Sequence, residues 1–310
     1  MKPWIVQTAR ELLVLILMIG VPHMACGGEP GSMKEGNMQP AETTVLEVSF
    51  DGEFYPLAGS PPKVAALVLG GSDGGIPGRR ARAIAQNGFP ALALGYFKTK
   101  RTSGYLDMIP LEYFDEPIQW LRSRLPQGGR IVLIGESKGA ELALVLASRK
   151  PEISGVIASV PSAVVFQGIP KDYWPPRSSW SDKGKPIPFV PYDTSNLPDP
   201  NNILSIYRNS LKQQEAVKKA LIAANKINGP ILLFSARDDR MWPSVEMSEM
   251  IMTALRDQKF GYPSEHITYD HAGHTMTEYF MMGGTHEGNR DARIGSLERT
   301  VSFLKKLSSP

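Results

Sequence analysis

The sequence predicts an α/β fold with a mostly parallel central sheet and helices on both of its faces. From residue 45 onward, short aliphatic and β-branched runs alternate with longer runs of helix-compatible composition, which is the pattern of strands joined by crossover helices. The 310 residues, of which 42% are hydrophobic and 21% charged, are enough for one large core. An irregular segment at residues 161–225 interrupts the alternation. We therefore expect one domain at residues 45–310, with an insert.

The individual elements follow from hydrophobic patterning. The strands are predicted as short buried runs bounded by turn residues: residues 64–69, 91–94, 131–134, 156–159, 231–234 and 266–269. The helices are predicted from their composition and, in most cases, from apolar residues at helical spacing: residues 77–86, 110–124, 140–148, 244–256 and 295–307.

The insert at residues 161–225 has two parts. Residues 161–200 are rich in proline and have little regular patterning, whereas "LKQQEAVKKALIAAN" at residues 211–225 predicts a helix. A long irregular segment within a compact domain is usually a lid or a binding loop, or else disordered. A lid is favoured because its aromatic side chains are costly to leave in water: Tyr173, Trp174, Trp180, Phe189 and Tyr192.

The N-terminal residues 1–26 have the layout of an export signal. Lys2 and Arg10 precede an apolar run at residues 12–21, which is short for a bilayer span and is followed by small residues. Export to the periplasm or the cell surface is expected, with an uncleaved anchor as the alternative and a cytoplasmic location if the segment is not a signal. Cys26 could be the lipidated first residue of a membrane-attached lipoprotein, although His23 stands where a lipobox normally has leucine. Residues 27–44, rich in Gly, Pro and polar residues, predict a flexible tether.

Composition narrows the range of partners. The net charge of +3 is small for this length, and no basic patch with interleaved aromatic residues occurs, so we expect no binding of nucleic acid. The single cysteine permits no intrachain disulfide, and the histidines lack paired metal-ligand spacing. We therefore expect a small-molecule partner, no metal and no cofactor.

The stretch "IGESKGAELALVLASRK" at residues 134–150 contains the first candidate for chemistry. Its "GESKG" fits the pattern G-x-S-x-G, which is weak evidence alone because short Gly/Ser patterns occur by chance. The strand "RIVLIG" runs into this pattern and a helical run leaves it, so Ser137 would lie on the sharp strand-to-helix turn called a nucleophile elbow. Ser137 is therefore the predicted nucleophile, with an ordinary Gly-Ser turn as the alternative.

A serine hydroxyl attacks only if a base accepts its proton, and in this fold an acid and then a histidine follow the serine. "SARDDRMWPS" after one predicted strand offers Asp238 and Asp239, and "HAGH" after the next offers His271 and His274. Asp239 is preferred because "DRMWP" resembles the D-x-x-V-P register of acid loops. His274 is preferred because it follows a glycine. The triad Ser137, Asp239 and His274 is thus predicted, with Asp238 as an alternative acid.

Two of the remaining histidines fit structural positions better. His266 lies within a predicted strand, and His286 in "GGTHEGN" is predicted to be a loop residue.

Two segments are predicted to stabilise the oxyanion that forms during acyl transfer. The backbone N–H of Lys138 would open the helix and point at this charge. "GGSDGG" at residues 70–75 would provide the second N–H, from Ser72 or Asp73. A phosphate cradle is the weaker interpretation, since the loop lacks both P-loop and dinucleotide-binding spacing. The side chains of Glu136 and Lys138 could tune the site or face solvent, and solvent is favoured for Glu136.

Across residues 64–307, several segments together resemble the C-terminal domain shared by acyl-CoA thioesterases and bile acid-CoA:amino acid N-acyltransferases, a relative of dienelactone hydrolase. They are "LGGSDGG", "GFPALALGYF", "IPLEYF", "IGESKGAELAL", "INGPILLFSARDDRMWPS", "YDHAGH" and the closing "GGT…FLKKL". The resemblance implies an α/β-hydrolase fold. It also places the family's nucleophile on Ser137, its acid on Asp239 and its base on His274.

The same resemblance implies an ester or thioester substrate, with acyl-CoA among the candidates. Conjugating members look to have cysteine as nucleophile, so Ser137 favours hydrolysis. Animal members carry an N-terminal β-sandwich domain, and only residues 45–63 stand in its place here. Acyl-CoA is a cytoplasmic metabolite, which conflicts with an export signal. The alternatives are a dienelactone hydrolase-like carboxylesterase, a peptidase of the same fold and a catalytically inactive surface-binding lipoprotein.

Overall fold

The computed structural model describes residues 48–57, 63–172, 175–195, 197, 199 and 201–309. The predicted signal at residues 1–26, Cys26 and the tether at residues 27–44 lie outside the described residues, as do Tyr173 and Trp174. Within the described part of the chain, no helix is both long enough and apolar enough to cross a membrane.

Ten strands and seven α-helices are described. The strands are β1 Asp51–Tyr55, β2 Val64–Leu69, β3 Ala91–Gly95, β4 Ile109–Pro110, β5 Arg130–Glu136, β6 Ile153–Ser159, β7 Trp180–Asp182, β8 Lys185–Pro186, β9 Ile231–Ala236 and β10 Ser264–Tyr269. The helices are α1 Gly78–Gln86, α2 Asp115–Arg122, α3 Lys138–Ala147, α4 Ile203–Ser210, α5 Gln214–Ala220, α6 Ser244–Asp257 and α7 His286–Ser308. Short 3-10 helices lie at Leu111–Phe114 and Ala224–Lys226.

Seven strands form the central sheet in the order β1-β3-β2-β5-β6-β9-β10. All of its pairs are parallel except that of β1 with β3, which is antiparallel. Strands β4, β7 and β8 form a separate small sheet. Because parallel strands all end at one edge of a sheet, the loops that follow β2, β5, β9 and β10 converge there.

The central strands are buried because their side chains alternate between two hydrophobic layers. Leu67, Leu133 and Leu233 belong to the core cluster on one face, whereas their successors Val68, Ile134 and Phe234 belong to the cluster on the other. A strand covered on both faces reads as a continuous apolar run, which is why these strands could be predicted from the sequence.

The last helix corrects one prediction. Helix α7 begins at His286, not near residue 295, so His286 is a helical residue and not a loop residue. Thr285 caps the helix, and its side chain accepts a hydrogen bond from the N–H of Gly288. The first ten residues of α7 include two glycines, Gly288 and Gly295. Because glycine has a low helix propensity, the sequence did not predict that the helix begins here.

The insert is irregular, as predicted, but its helices differ from the prediction. The predicted helix at residues 211–225 is wrong in extent: α5 ends at Ala220, and Leu221 leaves it to form a β-bridge with Val164. Helix α4 was not predicted. Trp180 is fully buried, while Phe189 and Tyr192 pack partly buried against the core.

Candidate active site

Ser137 lies on the turn between β5 and α3 in a backbone conformation that is rare for a residue with a side chain. Its φ and ψ are 53° and −121°, and such strain is found mainly where the surrounding structure imposes it. Its N–H donates to the carbonyl of Ser159 at 3.0 Å, which ties the turn to β6. Ser137 thus has the geometry of a nucleophile elbow.

The two glycines of the G-x-S-x-G pattern allow the helix to pack closely on the strands. A Cβ at Gly135 would overlap the backbone of Gly139, and one at Gly139 would overlap the carbonyls of Leu69 and Gly70. The start of α3 therefore packs directly on the end of β2, which brings the glycine-rich loop at residues 70–75 beside Ser137.

We expect Gly139→Ala to lower both stability and turnover. The added methyl meets backbone atoms, which can move only together with the end of β2, so the free energy of unfolding should fall by about 1–3 kcal/mol. Urea denaturation followed by circular dichroism measures this change. Gly261→Ala is the matched control, because a Cβ there meets nothing within 4 Å. Equal stability of the two variants would contradict the close approach.

The three predicted triad residues form one hydrogen-bonded chain. The Nε2 atom of His274 lies 2.8 Å from the Oγ of Ser137, and its Nδ1 lies 2.9 and 3.1 Å from the two carboxylate oxygens of Asp239. All three are buried, with 4 to 8% of each residue exposed. The structure therefore brings together side chains that are 102 and 35 residues apart in sequence.

The acid and histidine loops are fastened to each other by backbone hydrogen bonds. The N–H of Asp238 donates to Ala272 at 3.0 Å, and the N–H groups of Arg240 and His274 donate to Met282 at 3.1 and 3.0 Å. Asp239 Oδ1 also accepts from the N–H groups of Met241 and Trp242 at 2.9 and 3.1 Å. These bonds fix the carboxylate relative to the imidazole.

The neighbouring acid and histidine lie outside this chain of hydrogen bonds. The side chains of Asp238 and His271 are 47% and 76% exposed, and they face each other at 3.9 Å. His266 lies in β10, with its Nε2 2.7 Å from the hydroxyl of Ser235, and burial lowers its pKa. The geometry thus separates Asp239 and His274 from the alternatives.

The predicted oxyanion donors lie on both sides of Ser137. Lys138 is the first residue of α3, where helix geometry leaves the N–H without an intrahelical acceptor. On the other side, a Cβ built on Gly71 would lie 3.4 Å from the Cβ of Ser137. Ser72 and Asp73 follow within a turn that the N–H of Gly74 closes on Gly71 at 3.2 Å, and no backbone hydrogen bond from either amide occurs among the described residues.

A buried tyrosine supports the glycine-rich loop. The hydroxyl of Tyr96 donates to the carbonyl of Gly70 at 2.5 Å. Burial raises the pKa of Tyr96 well above its ordinary value, and the nearby charges of Asp73 and Glu141 raise it further. Tyr96 therefore stays protonated and remains a donor to the loop.

The charged residues that flank Ser137 have different surroundings. Glu136, favoured as solvent-facing, is half-buried and forms an ion pair with Arg80 of α1. The side chain of Lys138 is buried and forms an ion pair with Glu141. Neither side chain contacts the hydroxyl of Ser137 in any described hydrogen bond.

Two residues near the site are not predicted by the sequence patterns. Trp242 packs its ring edge-on against His274, with centroids 5.5 Å apart. Asn289 of α7 accepts from the N–H of Gly273 at 2.9 Å and donates to the carbonyl of Gly283 at 3.1 Å, which orders the histidine loop. The tryptophan within "DRMWP" was a visible signal, whereas nothing local marks Asn289.

The described residues contain no group of three or more His, Cys, Asp or Glu side chains placed to hold a metal ion. The hydrogen-bonded chain of Ser137, His274 and Asp239 offers a nucleophile, a base that can accept its proton and a carboxylate that orients the base. The adjacent N–H groups can stabilise a developing negative charge.

Comparison with solved structures shows the fold. An esterase from Pyrococcus furiosus matches with a TM-score of 0.52 at 16% identity, over 86% of this chain and 93% of the esterase. A Klebsiella pneumoniae protein assigned as a dienelactone hydrolase matches with a TM-score of 0.51 at 16% identity, over 82% and 92%. The predicted α/β-hydrolase fold, with a mostly parallel sheet and an irregular insert, is confirmed.

Comparison with known sequences shows the family. Mouse acyl-coenzyme A thioesterase 6 is 28% identical over 257 residues, which cover 77% of this chain and 58% of the thioesterase. The chain thus spans about three-fifths of the length of the curated relatives it matches. The family model described as the C-terminal domain of BAAT and acyl-CoA thioester hydrolases matches residues 109–306, which is more than half of the chain. The chain therefore belongs to the BAAT / acyl-CoA thioester hydrolase C-terminal family.

Proposed function

We propose that this protein is a serine hydrolase that cleaves an ester or thioester of a small molecule through an acyl-enzyme. The observation that carries the proposal is the unbroken chain of hydrogen bonds from Ser137 through His274 to Asp239. Family membership and the esterase-like fold support the same reaction class.

The mechanism follows from these contacts. His274 Nε2 accepts the proton of Ser137, and the serine oxygen attacks the substrate carbonyl carbon to form a tetrahedral oxyanion. The N–H of Lys138, with that of Ser72 or Asp73, stabilises this charge. The imidazolium then protonates the departing thiolate or alkoxide. Water, deprotonated by His274, attacks the acyl-enzyme, and the imidazolium returns this proton to the Ser137 oxygen as the acid leaves. Asp239 keeps the Nδ1 proton in place throughout.

Hydrolysis of acyl-CoA is the favoured activity within this class. The curated relatives include mouse thioesterases whose names specify acyl-coenzyme A and succinyl-coenzyme A. Conjugating members of the family look to have cysteine as nucleophile, so Ser137 favours hydrolysis over transfer to an amino acid. A panel of short and long acyl-CoA thioesters, aryl esters, a dienelactone and a peptide amide, assayed on the full chain, tests this assignment. Preference for the thioesters supports it, and preference for the lactone or the amide would replace it.

We expect a fluorophosphonate probe to label the full chain at Ser137. The activated oxygen attacks phosphorus, fluoride leaves, and a stable phosphonyl serine remains, which mass spectrometry of the tryptic peptide locates. Heat-denatured protein is the control, because an unfolded serine lacks its base. Absence of labelling in the folded protein would indicate a binding module that keeps the fold without the activity.

Export and lipid attachment at Cys26 are proposed for the segment before this domain. The charged and then apolar composition of residues 1–26 supports export. Fractionation of cells that express the full chain, with metabolic labelling by a fatty-acid analogue, separates the outcomes. Membrane-bound label that is lost in Cys26→Ser supports lipidation. Unlabelled protein in the cytoplasm would contradict both proposals and remove the conflict with an acyl-CoA substrate.

A further inference from the structure

A buried ion pair lies beside the nucleophile and has no part in the mechanism above. Lys138 Nζ and Glu141 Oε1 are 2.6 Å apart, and their side chains are 2% and 0% exposed. Removing two charges from water is costly, and a well-packed apolar pair is often no less stable. Burial alone raises the pKa of Glu141, whereas its ionised and hydrogen-bonded neighbours oppose that shift. Stability alone therefore does not explain a buried ion pair beside Ser137, and its position indicates a functional role.

Glu141 connects the nucleophile's helix to the insert. Besides Lys138, its carboxylate accepts a hydrogen bond from the indole N–H of Trp180 at 2.8 Å and one from the backbone N–H of Phe166 at 3.3 Å. Both donors belong to the irregular insert. One buried carboxylate therefore collects three donors from two segments that are otherwise distant in sequence.

The two insert residues in turn reach the remaining parts of the site. The ring of Phe166 stacks on Trp242, with centroids 6.1 Å apart, and Trp242 packs against His274. The ring of Trp180 contacts Tyr96 at 5.9 Å, and Tyr96 donates to Gly70 of the glycine-rich loop. Contacts from Glu141 thus extend to His274 through Phe166 and Trp242, and to the glycine-rich loop through Trp180 and Tyr96.

Glu141 also lies in the helical turn that contains the oxyanion donor. Its N–H donates to the carbonyl of Ser137 at 3.0 Å, so a shift of this turn moves the N–H of Lys138. Oxyanion stabilisation depends on donors held in place before the charge develops, and a small displacement of such a group lowers the rate steeply.

We propose that Glu141 is a positioning residue, which acts through Lys138, Phe166 and Trp180 to fix the oxyanion hole against the insert. The hydrogen bonds described for its side chain go to Lys138, Phe166 and Trp180 and not to Ser137 or His274. The proposal rests on the proposed function, because it assumes that Ser137 forms an acyl-enzyme.

The first test compares wild type with Glu141→Gln in the full chain. Glutamine keeps the shape but removes the charge opposite Lys138 and leaves one carbonyl oxygen for the three donors. With p-nitrophenyl acetate we expect kcat to fall about 10- to 100-fold while KM changes less than about threefold, since the oxyanion exists only beyond the ground state. An unchanged kcat would overturn the proposal.

A transition-state mimic distinguishes positioning from a general structural role. Phenylboronic acid accepts the Ser137 oxygen at boron and places a negative oxygen where the oxyanion forms. We expect its inhibition constant to rise in Glu141→Gln by about the same factor as kcat/KM falls. Loss of turnover with undiminished boronate affinity would overturn the proposal.

A double variant and a stability control separate a specific loss of kcat from a loss of stability. Lys138→Met with Glu141→Gln removes both charges, so we expect its thermal midpoint to exceed that of Glu141→Gln while kcat stays at least about tenfold below wild type. Full recovery of kcat would show that the link is dispensable. Leu304→Ala is the control for lost stability, because Leu304 is fully buried in the other core cluster and should leave kcat per folded molecule unchanged. An equal kcat loss in this control would also overturn the proposal, whereas an inactive wild type would instead refute the proposed function.

Discussion

Replacing Ser137 by alanine is expected to reduce ester and thioester turnover by at least about 10⁴-fold, to the background of the assay. The substitution removes the hydroxyl oxygen that lies 2.8 Å from His274 Nε2 and with it the acyl-enzyme route. What persists is the catalysis that the oxyanion donors and substrate binding provide without a nucleophile. Steady-state rates on p-nitrophenyl acetate and on an acyl-CoA thioester measure the loss.

The fold should survive this change. Alanine adopts the same backbone regions as serine, and the bond from the N–H of residue 137 to Ser159 does not involve the side chain. Ser148→Ala at the far end of α3 is the matched control, since its hydroxyl donates only to the carbonyl of Val145. Full turnover in Ser137→Ala, with the control equally active, would exclude the acyl-enzyme mechanism.

The elements that could be predicted from the sequence are those that a local hydrophobic pattern marks as buried. Strand β2 is a continuous apolar run covered on both faces, and its predicted bounds are those of the structure. The edge strand β1 was not predicted, because "DGEFY" combines polar and aromatic residues and is stabilised by antiparallel pairing with β3. Its position depends on a partner that no local pattern reveals.

In the site, too, some features could be predicted from local patterns and others depend on residues distant in sequence. The order of serine, acid and histidine loops could be predicted because each follows a recognisable strand, and parallel topology brings strand ends together. The contacts that hold these loops could not. Glu141 reads as an ordinary helical residue in "KGAELAL", yet its partners Phe166 and Trp180 lie 25 and 39 residues further along the chain. Tertiary packing of the insert decides that pairing.

Asp239→Asn is expected to lower kcat by about 10⁴-fold while the backbone geometry stays intact. The loop fixes how the new amide must point. Its oxygen keeps the place of Oδ1, where the N–H groups of Met241 and Trp242 donate, so its NH₂ group takes the place of Oδ2, 2.9 Å from His274 Nδ1. That NH₂ is a donor at the shorter of the two distances, so it disfavours a proton on Nδ1, which would have as its acceptor the amide oxygen 3.1 Å away. The tautomer with the ring proton on Nε2 therefore gains population. An Nε2 atom that carries a proton cannot accept one from Ser137.

Asp238→Asn is the matched control for this prediction. It makes the same chemical change one residue away, on a half-exposed side chain that faces the exposed His271, and turnover should stay within about twofold of wild type because neither group contacts the hydrogen-bonded chain. Urea denaturation of both variants separates lost chemistry from lost stability. In Asp239→Asn the oxyanion donors are untouched, so inhibition by phenylboronic acid provides a further check. The hydroxyl of Ser137 in this variant should still react with the fluorophosphonate probe, but far more slowly. Comparable activity of the two variants would show that the carboxylate of Asp239 does not orient the base.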